Sequence, residues 1–172
     1  MPDLLAHAFI AYAVCRVLSW RWEWLTTEYV TVGMAGALIP DITKVYLVVP
    51  NHTMERLLGT PFSWYSLGTG GGVLVSVLIG VVLAASEVRR PVGVALGIGA
   101  GSHLLADSLL LTPTGYSTQL LWPLSQVRTP SPGLYLSTQP APMIVTGVVA
   151  AGVWLLHSRY GGGSRPENGP GK

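Results

Sequence analysis

The hydrophobic residues of this chain fall into five long apolar stretches separated by shorter polar segments. A transmembrane helix needs about 20 mostly apolar residues, and each stretch approaches that length. Pro40 and Asp41 interrupt the second stretch, so we expect that helix to be broken. The pattern predicts an all-α integral membrane bundle of about five transmembrane helices, one or two of them broken. The five stretches are residues 4–20, 29–49, 69–86, 91–111 and 143–157.

Composition supports a membrane protein over other classes. Of the 172 residues 49% are apolar and only 10% are charged, whereas a soluble domain carries roughly 25% charge. A net charge of +2 without a dense basic run gives no support to nucleic-acid binding. The single Cys15 excludes an intramolecular disulfide and a cysteine-based zinc site. We expect one membrane-embedded helical domain over residues 1–160, an outer loop over 112–141, and a flexible tail over 161–172.

The basic residues predict how the bundle is oriented, because cytoplasmic loops are enriched in Lys and Arg. Arg89 and Arg90 fill the short link between the third and fourth stretches, which places that link inside. Alternation then predicts a multi-pass protein of the cell membrane with its N-terminus outside and its C-terminus cytoplasmic. Membrane lipids are the expected partners. Seven basic residues fall inside and three outside: Arg16, Arg21, Arg89, Arg90, Arg159, Arg165 and Lys172 against Lys44, Arg56 and Arg128.

Ionisable residues within the apolar stretches are the candidate functional residues. His103 and Asp107, like Asp3 and His7, are four residues apart and therefore share a helix face. Such spacing suits two ligands of one metal, or a histidine ligand oriented by a carboxylate. With Asp41, these groups all fall in the predicted outer half of the membrane. The alternatives are an N-cap for Asp3, an interfacial histidine for His7, and a half-helix cap for Asp41. We favour a metal or proton-handling site, because polar groups within membranes are usually functional.

Two glycine patterns have structural interpretations. Gly93, Gly97 and Gly101 form tandem G-xxx-G spacings, which predict a helix-packing ridge. The Gly-rich segment 68–72 lacks the Lys-Ser/Thr of a phosphate-binding loop. We therefore interpret it as a tight helix start with close packing.

The sequence resembles a known family in the segments GSHLLADSLLLTPTGYSTQLLWPLS (101–125) and ALIPDI (37–42), and in the early histidine. It resembles the YdjM-like family of membrane-bound metal-dependent hydrolases, proposed relatives of phospholipase C and P1-type nucleases. The resemblance implies His7, Asp41, His103 and Asp107 as metal ligands, with Asp107 or Asp41 as the catalytic base. Two positions depart from the family pattern. Thr43 replaces the second aspartate of P-D-x-D, and Gly68 stands where the family has a histidine.

The expected function is therefore metal-dependent hydrolysis within the membrane. The substrate would be a lipid or another phosphodiester at the outer face. The cofactor would be a divalent metal: imidazole and carboxylate ligands without a thiolate suit zinc, manganese or iron better than Cu(I), and zinc is the expected metal. The alternative is a catalytically degenerate member of the same fold with a structural or partner-binding role, which the changes at Thr43 and Gly68 favour. A small transporter ranks last, because we find no inverted repeat.

Overall fold

The computed structural model describes residues 2–160 except 118, 123 and 137, and only the backbone of residues 2, 3 and 160. The regular elements of this part of the chain are all helical, which agrees with the predicted all-α class. The predictions for the Asp3 side chain and for the tail 161–172 lie outside the described residues. The α-helices are α1 (Pro2–Ser19), α2 (Thr27–Gly36), α3 (Asn51–Leu58), α4 (Gly70–Leu83), α5 (Arg89–Asp107) and α6 (Pro140–Tyr160); the 3₁₀ helices are Pro40–Leu47, Trp64–Gly68 and Ser86–Val88.

Helices α1 and α5 form the centre of the bundle. Helix α1 packs against α2, α5 and α6, while α5 also packs against α2 and α4. A small apolar core lies between α1, α2 and α5, around Cys15, Leu25, Val30 and Ala95. This packing brings together side chains that are distant in the sequence, including those near the start of α1 and the end of α5.

The prediction of about five transmembrane helices is wrong. Among the described residues only Pro140–Arg159 is by itself long and apolar enough to cross a membrane, and the bent pair Thr27–Gly36 and Pro40–Leu47 qualifies only if it is counted as one span. The apolar helices Leu4–Ser19 and Gly70–Leu83 are too short. The 14 residues of Gly70–Leu83, for example, rise about 21 Å, whereas the hydrocarbon core of a bilayer is about 30 Å thick. Helix α5 is long enough, but ionisable residues at both of its ends, Arg89 and Arg90 at the start and His103 and Asp107 at the end, make it too polar.

Helix α6 has the surface expected of a membrane span. Only 6% of its candidate span is buried inside the protein, and large aliphatic side chains such as Val148 are exposed along it. A helix that is apolar on all sides and yet unburied would not be stable facing water. This finding agrees with the fifth predicted stretch.

Close packing of α2 on α5 depends on glycines other than the predicted ridge. A Cβ atom at Gly99 would overlap the Gly33 carbonyl oxygen, and one at Gly36 would overlap the backbone of Leu96. By contrast, a Cβ at Gly97 or Gly101 would meet nothing within 4 Å. The ridge prediction is therefore wrong for those two positions, because α5 turns a different face towards α2.

The glycine-rich segment before α4 is a tight helix start, as predicted. Thr69 is the N-cap of α4, and its hydroxyl accepts a hydrogen bond from the Gly72 N–H at 3.3 Å. The Gly70 N–H donates to the Gln119 carbonyl at 3.3 Å, and a Cβ at Gly70 would overlap the Leu120 backbone. The glycines thus allow the long loop after α5 to lie against the start of α4.

The predicted break at Pro40 is confirmed and determines where Asp41 lies. Helix α2 ends at Gly36, and the chain bends by 49° into the 3₁₀ helix that begins at Pro40. Proline cannot donate the backbone hydrogen bond that would continue the α-helix. The bend carries Asp41 towards the end of α5.

Candidate metal centre

Four ionisable side chains meet where the start of α1, the end of α5 and the 3₁₀ helix Pro40–Leu47 come together. His7 and His103 are each only 1% exposed, the Asp41 side chain is 8% exposed, and the Asp107 side chain is 29% exposed. The cluster is therefore closed on the protein side, while the partly exposed Asp107 gives it an opening.

The Asp107 carboxylate lies between the two histidines. Its Oδ1 is 3.2 Å from His7 Nε2, and its Oδ2 is 3.2 Å from His103 Nε2. One ligand atom from each of these residues lies within 4.8 Å of the others. Two imidazole nitrogens and a carboxylate oxygen at this separation form a group that could hold a metal ion.

A backbone contact orients His103 within the cluster. Its Nδ1 lies 2.6 Å from the Ala37 carbonyl oxygen, and a carbonyl oxygen can only accept a hydrogen bond. Nδ1 must therefore carry the proton, which leaves the lone pair of the neutral ring on Nε2. That nitrogen faces Asp107 Oδ2 at 3.2 Å and Asp41 Oδ1 at 3.8 Å. A lone pair facing two carboxylates is repulsive unless a proton or a metal cation lies between them.

The two imidazole rings are stacked, with centroids 3.6 Å apart and planes 19° apart. Two imidazolium rings at this distance would repel each other strongly in a buried site. The arrangement therefore favours at least one neutral imidazole, which is the form that binds metal. Burial raises the pKa of the Asp107 carboxyl, but hydrogen bonds from His103 and His7, made when their facing nitrogens carry a proton, outweigh this effect and hold that pKa below its usual range.

Asp41 contributes a second carboxylate, and the sequence reasoning missed the partner of this residue. Lys44 Nζ lies 2.6 Å from Asp41 Oδ1, and its side chain is 30% exposed. The spacing of three residues in a helical segment was the available signal. Asp41 Oδ2 is buried and has no hydrogen-bond partner among the residues that the structure describes. A buried carboxylate oxygen in this condition is well suited to a metal, a water molecule or a substrate proton.

The two departures from the family pattern lie side by side. A Cβ atom at Gly68 would come 2.6 Å from Cγ2 of Thr43 and 3.4 Å from the Pro40 carbonyl oxygen. Thr43 in turn donates from its hydroxyl to that same carbonyl at 3.2 Å. The two positions are therefore neighbours in the fold, and the small glycine makes room for the threonine methyl group.

Other histidines lie away from the cluster. His52 is exposed on α3, and His157 is near the end of α6, where its ring contacts Arg16 and Trp20. Neither belongs to the described residues whose ligand atoms come together. His52 is therefore useful as a control for the cluster histidines.

Comparison with known proteins identifies the family of the chain. The family model described as YdjM inner membrane protein matches residues 1–164. Searches of curated proteins and of solved structures gave no match. The family match covers nearly the whole chain, including all four residues of the cluster and helix α6.

Proposed function

The chain belongs to the YdjM family of inner membrane proteins, and we propose that it is a metal-dependent hydrolase of phosphodiesters at the membrane. The observation that carries this proposal is the convergence of His7, His103 and Asp107 within 4.8 Å. Because these residues come from two helices that are far apart in the sequence, their meeting is a property of the fold.

Imidazole and carboxylate ligands without a thiolate suit zinc, manganese or iron, and zinc is the metal that we propose. Two imidazoles and a carboxylate are ligands that zinc accepts, and catalytic zinc is held by three protein ligands with a fourth position open. The hydrogen bond from His103 Nδ1 to Ala37 is the kind of contact that orients a ligating imidazole. Asp41 would be a fourth ligand or remain outside the coordination sphere as a base.

Side chains around the metal site would supply the other functions that hydrolysis needs. A divalent metal at this site supplies a Lewis acid and lowers the pKa of a bound water. Because both Asp107 oxygens face imidazoles, the partner-free Asp41 Oδ2 is the better proton acceptor for an attacking water. The partly exposed Lys44 ammonium lies beside that carboxylate and would attract the negative phosphodiester. The partly exposed face of Asp107 is the side from which substrate would enter.

A second candidate function is a catalytically degenerate family member with a structural role. The specific observation in its favour is Lys44, whose ammonium already neutralises Asp41 as a bound cation otherwise would. The juxtaposed Thr43 and Gly68 remove two further potential ligands from the same region. Metal content distinguishes the two functions before any substrate is known.

The test begins with the full chain purified in detergent and with its metal content measured by mass spectrometry. We expect about one zinc per chain, lost in His103→Ala and retained in His52→Ala, which removes an exposed histidine. Hydrolysis of bis(p-nitrophenyl) phosphate and of phospholipid vesicles is then measured with the loaded protein. Metal without turnover would favour the degenerate alternative. A chain that remains metal-free after incubation with zinc would contradict the proposal.

A further inference from the structure

Arg16, near the end of α1, is a buried cation with no acidic partner among the residues that the structure describes. The residue is 7% exposed. Its guanidinium reaches the Thr27 hydroxyl at 3.5 Å and His157 Nε2 at 3.3 Å, and lies 5.6 Å from the centre of the Tyr12 ring. Its Nε has no hydrogen-bond partner among the described residues. A buried guanidinium that faces only neutral groups is strongly unfavourable, which indicates that a negative group is missing.

The groups around Arg16 offer more hydrogen-bond donors than acceptors. The Trp20 indole N–H donates to His157 Nδ1 at 3.2 Å, while the Arg16 guanidinium meets the other nitrogen of the same ring. A neutral imidazole has only one nitrogen that can accept, so one of these two donors has no acceptor on that ring. A protonated imidazole would leave both donors without one. An anion with several oxygens would satisfy this surplus.

The start of α2 lies beside the Arg16 guanidinium. Thr27 is its first residue, and the Thr26 N-cap makes no side-chain hydrogen bond to the helix. The Thr26 hydroxyl instead donates to the Glu28 carboxylate. Unsatisfied N–H groups in a first helical turn favour an anion placed beside them. The Glu28 carboxylate already lies in this first turn, so the buried guanidinium, with its unpartnered Nε, is the feature that calls for a further anion.

The position of the site along α6 identifies the source of the anion. The candidate span Pro140–Arg159 has 20 residues and rises about 30 Å, which equals the hydrocarbon thickness of a bilayer. His157 is two residues from its end and therefore lies at the level of the lipid headgroups. Trp20 is 51% exposed at the same level, and tryptophan is typical of this boundary.

We propose that Arg16, Trp20, Thr27 and His157, the Arg16 cluster, bind the phosphate group of a membrane phospholipid. Arginine forms two parallel hydrogen bonds with phosphate oxygens, and basic pockets between membrane helices bind lipid headgroups. The site does not depend on the proposed hydrolase function, because nine residues, or about 14 Å along α1, separate Arg16 from His7. Free phosphate has the same chemistry and is distinguished by experiment.

The test uses the purified, delipidated full chain in detergent. Binding of dioctanoyl phosphatidylglycerol is measured by native mass spectrometry and by the increase in melting temperature. Dioctanoylglycerol, which lacks the phosphate, and inorganic phosphate are measured in parallel. The variants are Arg16→Gln, Thr27→Val and, as a control of equal charge change, Arg21→Gln, whose arginine is exposed nearby.

We expect phosphatidylglycerol to bind and dioctanoylglycerol not to bind. Arg16→Gln should weaken phosphatidylglycerol binding at least about ten-fold, since a charge-assisted hydrogen-bond pair is lost, and should be no less stable than wild type without lipid. Thr27→Val should weaken binding a few-fold, and it keeps the test decisive if Arg16→Gln does not fold. Equal losses in Arg21→Gln, or unchanged binding by the cluster variants, would overturn the proposal. Inorganic phosphate binding as tightly as the lipid would refute the lipid source.

Discussion

Replacing Lys44 by methionine should strengthen metal binding at the candidate centre. The ammonium lies 2.6 Å from Asp41 Oδ1, and that oxygen lies 3.8 Å from His103 Nε2. Because the two contacts share one atom, the ammonium is within about 6.4 Å of the His103 nitrogen that would hold the metal. Methionine keeps the length and apolar stem of lysine while removing its charge.

The magnitude follows from the repulsion between a divalent cation and the ammonium. At about 6 Å and an effective dielectric constant near 20, this repulsion is about 5 kcal/mol. The lysine side chain is 30% exposed, so solvent and salt reduce the effect to roughly 1.5–3 kcal/mol. That free energy corresponds to metal binding about 10–100-fold tighter in Lys44→Met. Without metal the same variant should be less stable, because it leaves the buried Asp41 carboxylate without its cation.

Zinc titration followed by calorimetry and by thermal unfolding would measure both effects in one preparation. Lys44→Arg keeps the charge and should bind zinc as wild type does, and Arg56→Met controls for loss of an exposed positive charge on α3. A Lys44→Met variant that binds zinc no more tightly than wild type would refute the argument. The same holds if Arg56→Met tightens binding equally, since the effect would then be one of net charge.

Three further predictions concern packing and topology. Gly99→Ala should lower the free energy of unfolding by more than about 3 kcal/mol, because the added methyl group overlaps the backbone of α2. Gly97→Ala should leave the free energy of unfolding unchanged or raise it by up to about 1 kcal/mol. Denaturant unfolding measures both changes. Gly68→His should lower the free energy of unfolding by roughly 1–3 kcal/mol through overpacking. Adding Thr43→Ser to the same chain should recover most of this stability, because the substitution removes the Thr43 Cγ2 atom that the new side chain would meet. A double-mutant cycle measures this coupling. A reporter that is active only in the cytoplasm should be active when fused after Lys172, because Arg159 in the last turn of α6 and two basic residues after this helix favour the inside; activity of a reporter that works only outside would contradict this prediction.

The parts of the site that lie within one helix could be predicted from the sequence. His103 and Asp107 are four residues apart, so any helix over this segment places them on one face. The break at Pro40 was equally predictable, since proline removes a backbone donor. These local rules hold whatever the rest of the fold does. No local rule connects His7 and Asp41 with α5: the predicted orientation placed them at the same depth, and the family resemblance implied that all four residues bind one metal.

The parts that depend on packing could not be predicted. The contact between Gly99 and Gly33 depends on which face α5 turns towards α2, and G-xxx-G spacing does not specify that face. The number of spans was wrong because helix lengths depend on caps and breaks: α4 begins only at Gly70 and ends at Leu83. The ion pair of Lys44 with Asp41 is different: apolar periodicity carries no information about it, but the spacing of three residues was a signal that the sequence reasoning did not use.

The two proposed sites are related by the direction of α1 and α6. Phe9 faces Gly147, and Arg16 contacts His157, so the two helices run parallel. His7 therefore lies towards the Pro140 end of the candidate span, and the Arg16 cluster lies at its other end. If the basic residues after α6 hold the C-terminus inside, the Arg16 cluster faces the inner leaflet and the metal centre faces the opposite side. A lipid phosphate bound at Arg16 would then anchor α1 to α6 at one boundary, which would hold His7 in register with α5 where the metal ligands must meet.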